Sequence, residues 1–138
     1  MNIFILEDQD YKYEAVQRCI SEKYGDEIKI TRGKALNSSL CYIEDNRDEF
    51  DMFIVDMQVP HYDDTPYDTN PTGGIEFMFR LDRYFKTHNS FIFSSGSPSK
   101  DNTLDWVTYD PSYAIWREDV ISRIDNILKK ENIDENNN

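Results

Sequence analysis

Acidic side chains follow two short apolar stretches of the sequence. Glu7 and Asp8 come directly after residues 3–6, and Asp56 comes directly after residues 52–55. Carboxylates that are brought close together repel one another unless a cation lies among them. Carboxylate oxygen is a ligand that Mg²⁺ prefers, and Mg²⁺ usually takes few protein carboxylates and keeps several waters. These residues therefore indicate a Mg²⁺ site, provided that the fold brings the two stretches together.

Hydroxyl groups and a guanidinium group follow two further apolar stretches. Residues 91–93 run into Ser94 and Ser95, and residues 113–116 run into Arg117. A hydroxyl can donate a hydrogen bond to an anion, and a guanidinium group can bind phosphate through two parallel hydrogen bonds. For any one of these residues, the alternative is a strand that simply ends in a polar loop. The carboxylates and hydroxyls at three strand ends, taken together, favour a functional site.

The apolar pattern predicts five strands, each followed by a helix. The predicted strands are residues 3–6, 28–31, 52–55, 91–95 and 113–116, and the predicted helices are residues 11–24, 34–46, 75–87, 100–107 and 119–130. Strict alternation of this kind predicts an α/β fold: a doubly wound, five-stranded parallel sheet with helices on both faces, as in flavodoxin-like proteins. In such sheets, ligands bind at the carboxyl ends of the strands, where the polar residues described above lie.

Length and charge limit the classes of function. The chain has 138 residues, of which 27 are acidic and 15 basic, so its formal net charge is −12. This length predicts one domain, residues 1–130, followed by a disordered tail, residues 131–138. The negative charge disfavours nucleic acid and anionic membranes as partners. The sequence has no run of about 18 apolar residues and no signal-peptide pattern, so we expect a cytoplasmic protein.

The order of the motifs resembles the receiver domain of bacterial response regulators, over essentially residues 1–130. The residues that carry the resemblance are, in chain order, Glu7-Asp8, Asp56 with Met57-Gln58-Val59-Pro60 after it, Gly73-Gly74-Ile75-Glu76, and Ser95-Gly96. The order and placement of these motifs together are fairly specific.

The resemblance implies a signalling domain that accepts a phosphoryl group. In that family, a histidine kinase phosphorylates an aspartate after the third strand, and this aspartate and an acidic pair after the first strand hold Mg²⁺. By resemblance, Asp56 is the phosphoryl acceptor, and Glu7 and Asp8 bind the metal together with it. The backbone carbonyl of Gln58 completes the metal site, and Ser95 corresponds to the hydroxyl residue that moves toward the phosphoryl group. We also expect the concentrated negative charge to make the site depend on a divalent cation.

The sequence departs from the family pattern in its cation and in the length of one connection, among other places. The family usually has a lysine followed by a proline at the end of the fifth strand, where the lysine pairs with the phosphoryl group. Here Arg117 follows the predicted strand and is the predicted cation, with Lys100 as a less favoured substitute. Residues 61–72 form a connection longer than that of the family. This segment is either a tolerated insertion or a lid or partner-binding loop.

Three hypotheses about function follow. The first is a single-domain receiver that a histidine kinase or phosphotransfer protein phosphorylates on Asp56, and that acts by binding another protein, with at most slow autodephosphorylation. The second is a pseudo-receiver that binds its partner without phosphorylation. The third and weaker hypothesis is an enzyme: a receiver-derived phosphoesterase for cyclic phosphates, or a phosphatase of the haloacid dehalogenase type. A Thr72-Gly73 pair favours the phosphoesterase, but no histidine lies beside Asp56, and the phosphatase would need an aspartate where Gln58 stands.

A protein partner is expected to bind an aromatic surface around the predicted fifth strand. Aromatic side chains anchor many protein interfaces. The predicted anchors are Trp106, Tyr109, Tyr113 and Trp116.

Overall fold

The protein folds around a central sheet of five parallel strands. The structure, a computed structural model, describes residues 1–136 and the side chains of residues 1–131. In chain order, the strands and helices are β1 (Asn2–Leu6), α1 (Asp10–Tyr24), β2 (Lys29–Gly33), α2 (Leu36–Asp45), β3 (Met52–Val55), β4 (Val59–Pro60), β5 (Thr69–Asn70), α3 (Gly73–Tyr84), β6 (Ser90–Ser94), β7 (Trp106–Thr108) and α4 (Ile115–Asn136). The sheet order is β2-β1-β3-β6-β7, and all neighbouring strands are parallel. The predicted fold class is confirmed.

The central strands are buried on both faces because their apolar side chains alternate between two cores. In β1, Ile3 and Ile5 pack with apolar residues of α1 and α4, whereas Phe4 and Leu6 pack with residues of α2 and α3. Two helices therefore cover each face of the sheet. No helix of residues 1–136 is long and apolar enough to cross a membrane.

The fifth strand lies elsewhere than predicted. It is β7, which overlaps the end of the predicted helix 100–107, whereas residues 113–116 run into the first turn of α4. The predicted helix is absent from this connection in the described residues. The physical reason is spacing: Trp116, Val120 and Ile124 recur every four residues and are all buried, so Trp116 belongs to the apolar face of α4. The strand itself has only three residues, and only Val107 among them is fully buried.

Two other predicted segments also contain regular structure. The predicted loop 61–72 includes β5, which pairs antiparallel with β4 and brings Val59 opposite Asn70. Helix α4 continues to Asn136, so most of the predicted tail, residues 131–138, is helical where it is described. The remainder, residues 137–138, lies outside the described residues.

Candidate functional site

Three carboxylates meet where β1 and β3 end side by side. The register pairs Leu6 with Val55, so the residues that follow these two strands are neighbours. One oxygen from each of Glu7, Asp8 and Asp56 lies within 4.8 Å of the others. Glu7 is 1% exposed and Asp56 is 5% exposed, while Asp8 is half-buried. The structure therefore brings the three predicted metal ligands together.

The first residues of α3 hold the chain after Asp56 in place. The backbone N–H of Gly74 donates to the carbonyl oxygen of Met57 at 2.9 Å. The N–H of Met57 donates in turn to Oδ1 of Asp56, also at 2.9 Å. A Cβ atom on Gly74 would lie 2.4 Å from the backbone oxygen of Asp56, so only glycine lets the helix approach this closely. Gly74 thus fixes the position of the Asp56 backbone.

A lysine that the sequence analysis did not single out lies among the carboxylates. The ammonium nitrogen of Lys12 is 2.8 Å from Oε1 of Glu7 and 2.8 Å from Oδ1 of Asp56. The Lys12 residue is only 3% exposed, and its ammonium also lies 5.9 Å from the centre of the Phe93 ring. One sequence signal pointed to it: Lys12 precedes the buried Val16 by one helical turn, so it lies on the inward face of α1.

Burial and charge act together on the ionisable groups of this cluster. Burial raises the pKa of Glu7, and the neighbouring Asp56 carboxylate raises it further, while Lys12 opposes both effects. Burial likewise raises the pKa of Asp8, with Asp56 adding to the shift. Burial disfavours the charged form of Lys12, but Glu7 and Asp56 outweigh it, and the net result is a raised pKa. The lysine is therefore held as an internal cation.

The donor set fits Mg²⁺. All three side chains offer carboxylate oxygens, the hard ligands that this ion prefers. Oδ1 of Asp8 is buried and has no hydrogen-bond partner among the described residues, which is what a ligand atom lacking its ion would look like. Lys12, however, already neutralises part of the charge of Glu7 and Asp56. Glu7, Asp8 and Asp56 can hold the ion, but the ion would share two of these carboxylates with an ammonium group.

An open cavity of about 530 Å³ lies over Asp56. Its lining is mostly polar and comes from the carboxyl ends of β1, β3 and β6, from the first turn of α1, and from one residue each of β5 and β7. The lining residues are Asp8, Gln9, Tyr11, Lys12, Asp56, Met57, Gln58, Thr69, Ser94, Ser95, Gly96, Ser97 and Trp106. The cavity therefore joins the acidic cluster to several hydroxyl groups.

The remaining predicted site residues divide into two groups. Gln58 and Ser95 line the cavity, and Ser94 beside them is a buried hydroxyl at the end of β6. Arg117 does not line this cavity; it is exposed in the first turn of α4, with its guanidinium 5.4 Å from the centre of the Trp116 ring. Arg117 was predicted to be the cation of the site because it follows residues 113–116, but these residues are not the fifth strand of the sheet. Lys100 does not line the cavity either.

The end of β7 carries no lysine. Tyr109 follows the strand and is buried against the rings of Phe93 and Trp116. Asp110 comes next, and its carboxylate accepts a hydrogen bond from the backbone N–H of Ser112. The lysine that contacts Asp56 thus comes from α1 rather than from the fifth strand.

The predicted aromatic surface is only partly present. Tyr109 and Trp116 are 7% and 3% exposed and belong to the core. Trp116 points inward because α4 begins earlier than predicted, and Tyr109 packs against its ring. Tyr113 is 67% exposed. Trp106 is half-buried, and its indole N–H donates to the carbonyl oxygen of Gly96 at 3.0 Å. The prediction is therefore wrong for two of the four anchors.

Comparison with known proteins supports the receiver-like fold. No protein-family model matches the chain, and a search of curated proteins finds no match. Among solved structures, the receiver domain of a LuxO repressor protein from Vibrio parahaemolyticus has a TM-score of 0.68 at 11% identity, covering 97% of this chain and 94% of the other. A chain of the CheX-CheY complex with BeF₃ and Mg²⁺ from Borrelia burgdorferi has a TM-score of 0.67 at 13% identity, covering 93% of this chain and 89% of the other.

A third structure gives the same result. The receiver domain of the Francisella response regulator 1452 has a TM-score of 0.60 at 18% identity, covering 94% of this chain and 98% of the other. At these identities, the similarity establishes the fold. The chain therefore has the fold of a response-regulator receiver domain, as the resemblance of its motifs implied, with an acidic cluster at the carboxyl edge of its sheet.

Proposed function

We propose that the protein is a receiver-like signalling domain that accepts a phosphoryl group on Asp56 in the presence of Mg²⁺. The donor is a histidine kinase or phosphotransfer protein, and the output is binding to another protein. The observation that supports this proposal is the position of Asp56, which lies at the base of an open cavity and beside two further carboxylates.

The residues of the cavity suit this transfer. An oxygen of Asp56 forms a bond to phosphorus while the bond between phosphorus and the donor atom breaks, and the donor leaves with the electron pair. Glu7, Asp8 and Asp56 would hold a Mg²⁺ ion, which when bound neutralises charge on the phosphoryl oxygens. The ammonium of Lys12 is within reach of Asp56, and the hydroxyls of Ser94 and Ser95 can donate hydrogen bonds.

Small phosphodonors test the proposal without knowledge of the kinase. The wild-type protein is incubated with acetyl phosphate and MgCl₂, and intact-protein mass spectrometry measures the added phosphoryl group. We expect one phosphoryl group on the wild type and none on Asp56→Asn. The matched control is Asp64→Asn, which removes an exposed carboxylate and keeps the cavity intact. Equal labelling of wild type and Asp56→Asn, or no labelling of either, contradicts the proposal.

One observation favours the pseudo-receiver as the second candidate. The ion pair between Lys12 and Asp56 satisfies the acceptor carboxylate within the protein, without any phosphoryl group or metal. In this alternative, the domain binds its partner in one constant state. The same labelling experiment distinguishes the two candidates, because a pseudo-receiver remains unlabelled even at saturating acetyl phosphate and MgCl₂.

A further inference from the structure

The ammonium of Lys12 contacts two of the three carboxylates of the acidic cluster. Its nitrogen lies at 2.8 Å from one oxygen of Glu7 and at the same distance from one oxygen of Asp56. These are two of the three carboxylates whose oxygens converge closely enough to hold an ion. The location is also unfavourable for α1, because a cation in the first turn of a helix opposes the helix dipole. The two carboxylates therefore explain the placement of Lys12, and the dipole of α1 does not.

We propose that Lys12 is a tethered counter-ion that competes with a divalent cation for Glu7 and Asp56. Without metal, the ammonium keeps the two buried carboxylates from repelling each other. A divalent cation bound to both carboxylates would lie close to the ammonium, and the two positive charges repel. Binding of the metal therefore requires the ammonium of Lys12 to leave Glu7 and Asp56. The metal binds more weakly because these two ion pairs must be broken.

The surroundings allow the ammonium to move. Lys12 lines the cavity of about 530 Å³ together with Ser94 and Ser95, and its ammonium is carried on a flexible four-carbon chain. The ion pairs of Lys12 in the described residues are with Glu7 and Asp56 and not with Asp8, whose Oδ1 is buried without a hydrogen-bond partner there. Asp8 is therefore the ligand that the metal gains without competition, and Glu7 and Asp56 are the ligands for which it must displace Lys12.

Metal binding to the full-length protein tests the proposal. MgCl₂ is titrated into the wild type, Lys12→Met and Lys12→Arg, and isothermal titration calorimetry gives the dissociation constants. The matched control is Lys23→Met, which removes the same charge from an exposed position on the same helix, where the lysine pairs with Asp125. We expect Lys12→Met to bind Mg²⁺ roughly tenfold more tightly than the wild type. Lys23→Met and Lys12→Arg are expected to bind no more tightly than the wild type.

Equal or weaker binding by Lys12→Met overturns the proposal, as does equal tightening by Lys23→Met. A second measurement does not depend on the folding of any variant: the side-chain ammonium signals of the wild-type lysines are followed by NMR during the titration. The signal of Lys12 should shift with metal saturation, and a signal that stays unchanged while the metal binds overturns the proposal. The inference shares its metal site with the proposed function, but no phosphodonor is used. Its failure is therefore distinguishable from a failure of phosphorylation.

Discussion

The ammonium nitrogen of Lys12 and Oδ1 of Asp56 are 2.8 Å apart, and both side chains are buried. The two residues are 44 positions apart in sequence, so their contact depends on the docking of α1 against the carboxyl end of β3. A buried charge is costly unless it is paired. The contact therefore makes the surroundings of Asp56 depend on the packing of α1.

The first prediction concerns the stability that this contact supports. Lys12→Met leaves Glu7 and Asp56 buried without their cation, and removing one partner of a buried pair typically costs about 3 to 5 kcal/mol. We expect a loss of this order in the free energy of unfolding, measured by urea denaturation in the presence of EDTA. Lys23→Met, whose lysine is about half exposed, should cost less than about 1 kcal/mol. Similar losses for the two variants would contradict the assignment of Lys12 as a buried counter-ion.

The second prediction concerns the close approach of α3 to Asp56. Gly74→Ala places a methyl group 2.4 Å from a backbone oxygen that cannot move away without displacing the end of β3. Overpacking of this kind usually costs about 1 to 3 kcal/mol. Gly96→Ala is the control, because its new methyl group meets nothing nearer than Oγ of Ser94 at 3.9 Å. Thermal denaturation should show a lower midpoint for Gly74→Ala alone, and an unchanged midpoint would argue against this packing.

The central part of the fold was predictable because its signals are local. The runs that form β1 and β3 are apolar throughout, and the parallel order of the sheet then requires their carboxyl ends to meet. That placement alone brings Glu7, Asp8 and Asp56 together. The three residues that form the acidic cluster are therefore predictable from the sequence.

The misplaced features depend on contacts between distant parts of the chain. Strand β7 has three residues, too few for a clear pattern, and it pairs with β6 through a register that sequence spacing does not reveal. The buried position of Lys12 depends on which face of α1 docks on the sheet. A lysine at such a position is usually expected to keep its charge in solvent. Here the ammonium is buried because it pairs with Glu7 and Asp56, which follow two different strands, β1 and β3.

The third prediction concerns pH and a contact remote from the cavity. The hydroxyl of Tyr24 donates a hydrogen bond to Asp125, and this bond, assisted by Lys23, holds the pKa of the Asp125 carboxyl below its usual value. A carboxyl group whose pKa is lowered by folding adds stability above its unfolded pKa, and this stability is lost as the pH falls through the folded value. Tyr24→Phe removes the donor. The stability difference between wild type and Tyr24→Phe should be constant near neutral pH and shrink below about pH 4.

Urea denaturation of both proteins at a series of pH values measures this difference. The control is Tyr113→Phe, because Tyr113 is exposed and no hydrogen bond of its hydroxyl is seen in the described residues. It should match the wild type at every pH. A difference for Tyr24→Phe that persists unchanged in acid would show that the ionised Asp125 does not contribute through this hydrogen bond.

The last prediction separates the two effects of Asp8. Its carboxylate adds negative charge to a cluster that Lys12 balances only in part, and its Oδ1 has no hydrogen-bond partner among the described residues. Asp8→Asn removes this charge, so in EDTA the variant should be more stable than the wild type. The same change removes the metal ligand that Lys12 does not engage. Addition of MgCl₂ should therefore raise the thermal midpoint of the wild type, as ligand binding to the folded state requires, and leave that of Asp8→Asn almost unchanged.

The difference in thermal midpoint between Asp8→Asn and the wild type is thus expected to narrow or change sign when Mg²⁺ is added. Asp10→Asn is the matched control, because Asp10 is an exposed carboxylate two residues away that pairs with Arg32 outside the cluster. It should keep the full response to Mg²⁺. If Asp8→Asn responds to Mg²⁺ as strongly as the wild type, Asp8 is not a ligand, and the ion binds without the one carboxylate that the ammonium of Lys12 leaves free.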